Sequence, residues 1–194
     1  MVELSQRERS VRRFLMDSVV ESPADRRVVA LQIGRPPRSD SRVVSVCHLG
    51  LPVVVEIPPL LDDGTPFPTR YWLTCPLAVK RVSRIESEGG VKAMDALSER
   101  DSVFGARLQA AHLRYAMQRD SEVPDPARHR PTGGVAGSRK GVKCLHAHYA
   151  DHRARNDNPV GEWTAPRVEP LDCELPCVLE SPEGPATNPD WREP

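Results

Sequence analysis

Short hydrophobic runs, separated by glycine and proline, follow a charged N-terminal segment in the first half of the chain. These runs are rich in β-branched residues, which favours strands, and the turns between them are too short for anything but antiparallel neighbours. A last strand is predicted at residues 69–74, where alternation puts Tyr71 and Trp72 on opposite faces. The runs are VVALQIG from Val28, RVVSVCHLG from Arg42 and LPVVVEIPP from Leu51.

After Cys75 the hydrophobic period lengthens to about 3.6 residues, which predicts helices. Thr74 or Cys75 suits the N-cap of the first helix, Pro76 suits its first position, and a Gly-Gly pair ends it. Further helices are predicted at about residues 91–100 and 103–119, and we expect the second to face the core. Its apolar face comprises Phe104, Leu108, Ala111, His112 and Tyr115.

These patterns predict an α+β fold, with a small antiparallel sheet of three to four strands packed against about four helices. Residues 1–24 are charged and only weakly periodic, so we expect a mobile N-terminal arm there. Residues 25–162 form the single predicted domain. Residues 163–194 are rich in proline and polar residues, and we expect a disordered tail.

Charge and composition exclude several classes of function. The chain of 194 residues has 27 basic and 27 acidic side chains, so no overall field attracts nucleic acid or anionic lipid. No apolar run approaches the roughly 20 residues that span a bilayer, and no secretory signal is recognisable. We therefore expect a cytoplasmic protein without a membrane partner. Its five cysteines are then thiols, metal ligands or catalytic groups rather than disulfides.

Cysteines and histidines in three parts of the chain are candidate ligands for a zinc ion. Cys47 ends a predicted strand, Cys75 stands at a helix start, and Cys144 precedes His146 and His148. If the helix after Cys144 packs on the sheet, three thiols and one imidazole meet, which is a tetrahedral zinc ligand set. The alternative for each cysteine is a small buried apolar residue.

The geometry of a helix limits which of these side chains can share an ion. At about 100° per residue, Cys144 and His148 fall on one face and His146 points nearly the opposite way. Cys144 and His146 can therefore bind one metal only if the helix begins after Cys144 or is distorted. Otherwise His146 is a hydrogen-bonded histidine of the packed face.

Two further hypotheses concern the remaining thiols. Cys75 at a helix N-terminus could be a low-pKa nucleophile, because exposed amides favour the thiolate. Cys173 and Cys177 lie in the proline-rich tail, so we expect solvent-exposed thiols there.

A glycine-rich stretch before the Cys144 helix supplies the components of an anion site. Backbone amides, a serine and two cations at a helix start would suit a phosphate-bearing ligand such as a nucleotide or polyphosphate. The register is not that of a Walker A loop, and the alternative is a solvated loop. The residues are Gly133, Gly134, Ser138, Arg139 and Lys140.

Several uncommon strings occur in an order that resembles the bacterial domain-of-unknown-function family 501. The resemblance covers about residues 28–161 and implies an architecture, not a reaction. Members often have a second cysteine where this chain has Leu49, and a histidine where it has Asp151; Cys75, Cys144 and His146 match. The strings are DGTPFPTRYWLTCP, RIESEGG, AHLRYAMQR, VKCLHAHYA and NPVG.

The leading hypothesis is a cytoplasmic zinc-binding protein with ligands drawn from the cysteine and histidine residues above. The rival is an anion-binding module without catalysis, and the sequence leaves open whether the protein is an enzyme.

Overall fold

The computed structural model describes residues 22–194, so residues 1–21 of the predicted arm lie outside it. It confirms the α+β class. Four antiparallel strands pair in chain order, and a two-stranded hairpin lies near the C-terminus. The strands are β1 Ser22–Pro23, β2 Arg42–Val46, β3 Pro52–Glu56, β4 Tyr71–Leu73, β5 Val178–Leu179 and β6 Ala186–Thr187. The α-helices are α1 Arg26–Ile33, α2 Pro76–Ser87, α3 Gly90–Arg100, α4 Ser102–Asp120, α5 Leu145–Arg153 and α6 Pro159–Val168.

The sheet separates two apolar clusters. On one face Tyr71 meets Tyr115 of α4 edge to face, with ring centroids 5.9 Å apart. On the other face Trp72 stacks on Phe67 at 5.5 Å, in the cluster that includes Val29 of α1. The prediction that Tyr71 and Trp72 face opposite sides is confirmed. The larger cluster, between the sheet and helices α2 to α6, forms the main core.

The run VVALQIG, predicted as a strand, is helix α1, so this part of the prediction is wrong. The carboxylate of Asp25 accepts the Arg27 N–H at 2.7 Å and caps the N-terminus. Gly34 adopts a left-handed conformation, φ 70°, and ends the helix. Two caps and the burial of Val28 and Val29 outweigh the modest helix penalty of β-branched residues.

The first three helices after β4 begin and end close to the predicted positions. Cys75 is the N-cap of α2 with Pro76 at its first position. Helix α4 is capped by Asp101, whose side chain accepts the N–H groups of Val103 and Phe104 at 3.0 Å. Its predicted core face is buried, including Leu108, Ala111, His112 and Tyr115.

Residues 163–194, for which composition predicts disorder, pack against helix α2 in the structure. The guanidinium of Arg81 donates to the carbonyl of Val168 at 2.8 Å and to Asp172 at 2.8 Å. Arg84 forms an ion pair with Glu193. Apolar residues of this stretch, including Val168, Leu171 and Trp191, also pack into or against the main core. We call residues 169–194 the C-terminal segment.

Candidate thiol site

Four of the five cysteines line a single pocket between the sheet and the C-terminal segment. Cys47 follows strand β2, and Cys75 stands at the start of α2, so the core positions both. Cys173 and Cys177 come from the C-terminal segment. The enclosed space is small, about 10 Å³. The remaining wall is mostly apolar, with Leu49, Leu51, Leu77, Leu171 and Leu175 among its residues.

Side-chain N–H groups point at two of these sulfurs. The Trp191 indole donates to Cys173 Sγ at 3.5 Å, and the Gln32 amide donates to Cys177 Sγ at 3.7 Å. The first amides of α2 also favour the charged form of Cys75, although its side chain makes no capping hydrogen bond. A neutral thiol is a weak acceptor, whereas donors of this kind commonly surround the thiolate ligands of metals.

Burial opposes the ionisation of Cys75 and Cys177. It raises the pKa of Cys75 to about 11. It also raises the pKa of Cys177, against the effect of the Gln32 hydrogen bond. Cys75 is therefore a thiol at neutral pH, and the structure does not support the hypothesis of a low-pKa nucleophile at this helix start.

The loop that carries the two C-terminal thiols is held in place by hydrogen bonds. His48, next to Cys47, lies with its Nε2 atom 3.0 Å from the Cys173 carbonyl. The side-chain amide of Asn188 donates to the Pro176 carbonyl at 2.8 Å. The backbone N–H of Asn188 donates to the Cys177 carbonyl at 3.1 Å. These hydrogen bonds hold the loop in place along one side of the pocket.

The residues predicted as zinc ligands lie in three separate places. Cys47 and Cys75 share the pocket. Cys144 is half-buried at the N-cap of α5, where burial raises its pKa. His146, two residues further along in α5, is partly exposed and contacts helix α2. His148 is fully buried. Within residues 22–194, no three or more His, Cys, Asp or Glu side chains are grouped as they would be around a metal ion.

His148 belongs to a buried polar network. Its Nδ1 lies 3.0 Å from Asn158 Oδ1, whose amide nitrogen donates to Asp151 at 2.8 Å. Arg114 pairs with Asp151 at 2.6 Å, and the His112 ring meets His148 edge to face. Burial lowers the pKa of His148 to about 4 and lowers that of His112. Burial raises the pKa of Asp151, against the effect of Arg114. Both imidazoles are therefore packed in the core in their neutral form.

Internal hydrogen bonds use several of the amides in the predicted anion loop. Gly134 N–H donates to the Ser138 carbonyl at 2.8 Å, and the Ser138 hydroxyl donates to the carbonyl of Lys140 at 2.9 Å. The N–H of Val135 donates to a ring nitrogen of His112. The loop also ends before α5, which begins at Leu145 after the N-cap Cys144. Anion binding by Gly133, Gly134, Ser138, Arg139 and Lys140 stays a prediction.

The prediction that Cys173 and Cys177 are solvent-exposed is wrong. Both are half-buried rather than solvent-exposed. The sequence signal for their place in the pocket is the spacing of two thiols four positions apart in a segment with few aliphatic residues.

Comparison with known proteins assigns the family. The model for the proteins of unknown function called DUF501 matches residues 43–166, most of the chain. The chain belongs to the DUF501 family. The resemblance noted in the sequence is confirmed. No curated protein and no solved structure matches this DUF501 chain. In the part of the chain that the structure describes, no helix is both long and apolar enough to cross a membrane.

Proposed function

We propose that this protein is a cytoplasmic zinc-binding protein in which Cys47, Cys75, Cys173 and Cys177 are the ligands. The observation that supports this most is the convergence of four thiols from distant parts of the chain on one apolar pocket. Four cysteines complete the tetrahedral ligand set of structural zinc sites and leave no position for a substrate. The role is therefore structural rather than hydrolytic.

A bound cation would resolve the electrostatic conflict in the pocket. Burial disfavours the thiolates of Cys75 and Cys177, while the Gln32 amide favours that of Cys177. Zinc binds the deprotonated sulfur and compensates its charge, and protons are released on binding. Within residues 22–194 no three of these ligands are grouped around one point, so zinc binding would require the cysteine side chains to rotate toward the ion.

The proposed ion would connect the core to the C-terminal segment. Two of its ligands belong to the sheet and helix α2, and two belong to a loop fastened by polar contacts. Zinc should therefore contribute to folding, because it ties together parts of the chain that are distant in sequence. A reducing compartment would keep the thiols available for the metal.

Metal analysis of the full chain, purified without a histidine tag, tests the proposal. We expect about one equivalent of zinc, lost in Cys173→Ser and Cys177→Ser. Cys144→Ser is the matched control, because Cys144 lies outside the pocket, and should keep its metal. Less than about a tenth of an equivalent in the native protein, or equal loss in Cys144→Ser, would contradict the proposed site.

A further inference from the structure

A serine, a histidine and a glutamate meet on the surface formed by α2 and α5, apart from the thiol pocket. Ser83 Oγ lies 3.3 Å from His146 Nε2, and His146 Nδ1 lies 3.1 Å from Glu86 Oε1. Ser83 and Glu86, three residues apart on α2, share a helix face. Ser83 is exposed, and the side chain of His146 is 28% exposed, so a ligand can reach both.

The glutamate fixes the orientation of the imidazole. Glu86 Oε1 also accepts the N–H of Leu145 at 2.5 Å, which holds the carboxylate at the start of α5. Burial acts to raise the pKa of Glu86, but its contacts with His146 and the α5 amides outweigh this and lower it. A carboxylate at Nδ1 keeps a proton on that nitrogen, so the lone pair of Nε2 faces Ser83.

The surroundings of Nε2 also accommodate a transferred proton. The carbonyl oxygen of Val79 lies 3.3 Å from Nε2. Once Nε2 carries a proton, this carbonyl can accept a hydrogen bond from it, while Glu86 balances the positive charge. The protonated imidazole therefore has an acceptor at each ring nitrogen.

We propose that Ser83 is a nucleophile that accepts an acyl group from a carboxylic ester, with His146 as its base and Glu86 as a positioning residue. Ser83 Oγ forms a bond to the ester carbonyl carbon, and its proton passes to His146 Nε2. The bond from that carbon to the alcohol oxygen then breaks, and His146 returns the proton to the departing alcohol. The products are acyl-Ser83 and the free alcohol.

The rate enhancement should be small. Ser83 lies inside α2, where backbone amides donate to carbonyls one turn earlier and are not available as an oxyanion hole. A positioned base contributes about 10²–10⁴-fold, whereas each missing oxyanion donor costs about 10²–10³-fold. We therefore expect slow acylation of Ser83, not rapid hydrolysis.

A fluorophosphonate probe tests the proposal on the full chain. The reaction forms a phosphorus–oxygen bond at an activated serine and breaks the phosphorus–fluorine bond, and the proton goes to the base. Mass spectrometry of peptides should show labelling of Ser83 about 10²-fold faster than Ser87. Ser87 is an exposed serine of the same helix whose hydroxyl donates to the Arg84 carbonyl. Equal labelling of both serines would overturn the proposal.

Variants separate the relay from a structural role. His146→Gln should reduce Ser83 labelling to the Ser87 level. Glu86→Gln keeps an oxygen for the Leu145 amide, so α5 should still form, but the pH profile of labelling should shift, and Glu86→Asp should restore part of the rate. Melting curves would confirm that each variant is folded. A folded His146→Gln variant that labels Ser83 at the native rate would refute the assignment.

Discussion

Acidification should destabilise the protein through His148. The fold holds this imidazole in the neutral form, because burial lowers its pKa from 6.5 to about 4. The unfolded chain binds the proton first as the pH falls. The stabilising contribution is therefore complete above about pH 6.5, decreases as the pH falls below that value, and is lost at about pH 4.

The size of the effect follows from the two pKa values. The difference between 6.5 and about 4 corresponds to roughly 3 kcal/mol of unfolding free energy. Between pH 7 and 5.5, His148 alone should account for a loss of about 1 kcal/mol. The lowered pKa of His112 adds to this loss, while the raised pKa of Asp151 acts in the opposite direction at lower pH.

Urea denaturation at several pH values measures this loss directly. Between pH 7 and 5.5, the loss of unfolding free energy should be smaller by about 1 kcal/mol in His148→Gln than in the native protein. His152→Gln, on the same helix but only partly buried, should retain the native dependence. Identical pH dependence in the native protein and in His148→Gln would show that this histidine is not held neutral by burial.

Two further substitutions test the packing around this network. Arg114→Ala leaves the buried Asp151 carboxylate without its cation and should lower the unfolding free energy by about 3–5 kcal/mol in urea titrations; no change would refute the buried ion pair. Gly134→Ala would place a methyl group 2.6 Å from His112 Cβ and should lower the unfolding free energy by about 2 kcal/mol. The control is Gly64→Ala, where space is open but φ is positive, and it should lower the unfolding free energy by about 1 kcal/mol. A thermal melt that ranks them in reverse would contradict the packing at His112.

Local patterns predicted most of the secondary structure because the signals are themselves local. Alternation gives the two faces of β4, and Pro76 after Cys75 marks the start of α2. The β-branched residues of helix α1 favour a strand, and that prediction is wrong. Asp25 and Gly34, which cap its two ends, were the local signal that should have outweighed them.

The site was harder to predict because its parts are distant in sequence. Cys47 and Cys75 were candidates, but their neighbours in the pocket come from a segment whose composition is typical of disorder. Composition alone does not predict that Arg81 of α2 donates hydrogen bonds to Val168 and Asp172 and so holds this segment against the helix. Likewise, nothing local to Ser83 indicates a histidine from α5, so this arrangement emerges only with tertiary packing.

X-ray absorption at the zinc edge of the purified full chain tests the four-thiol site most directly. We predict four sulfur neighbours at about 2.3 Å and no histidine nitrogen. Cys177→Ser should either lose the metal or replace one sulfur with a lighter atom. A native spectrum with imidazole scattering, or with two or fewer sulfurs, would contradict the assignment of Cys47, Cys75, Cys173 and Cys177 as the ligands.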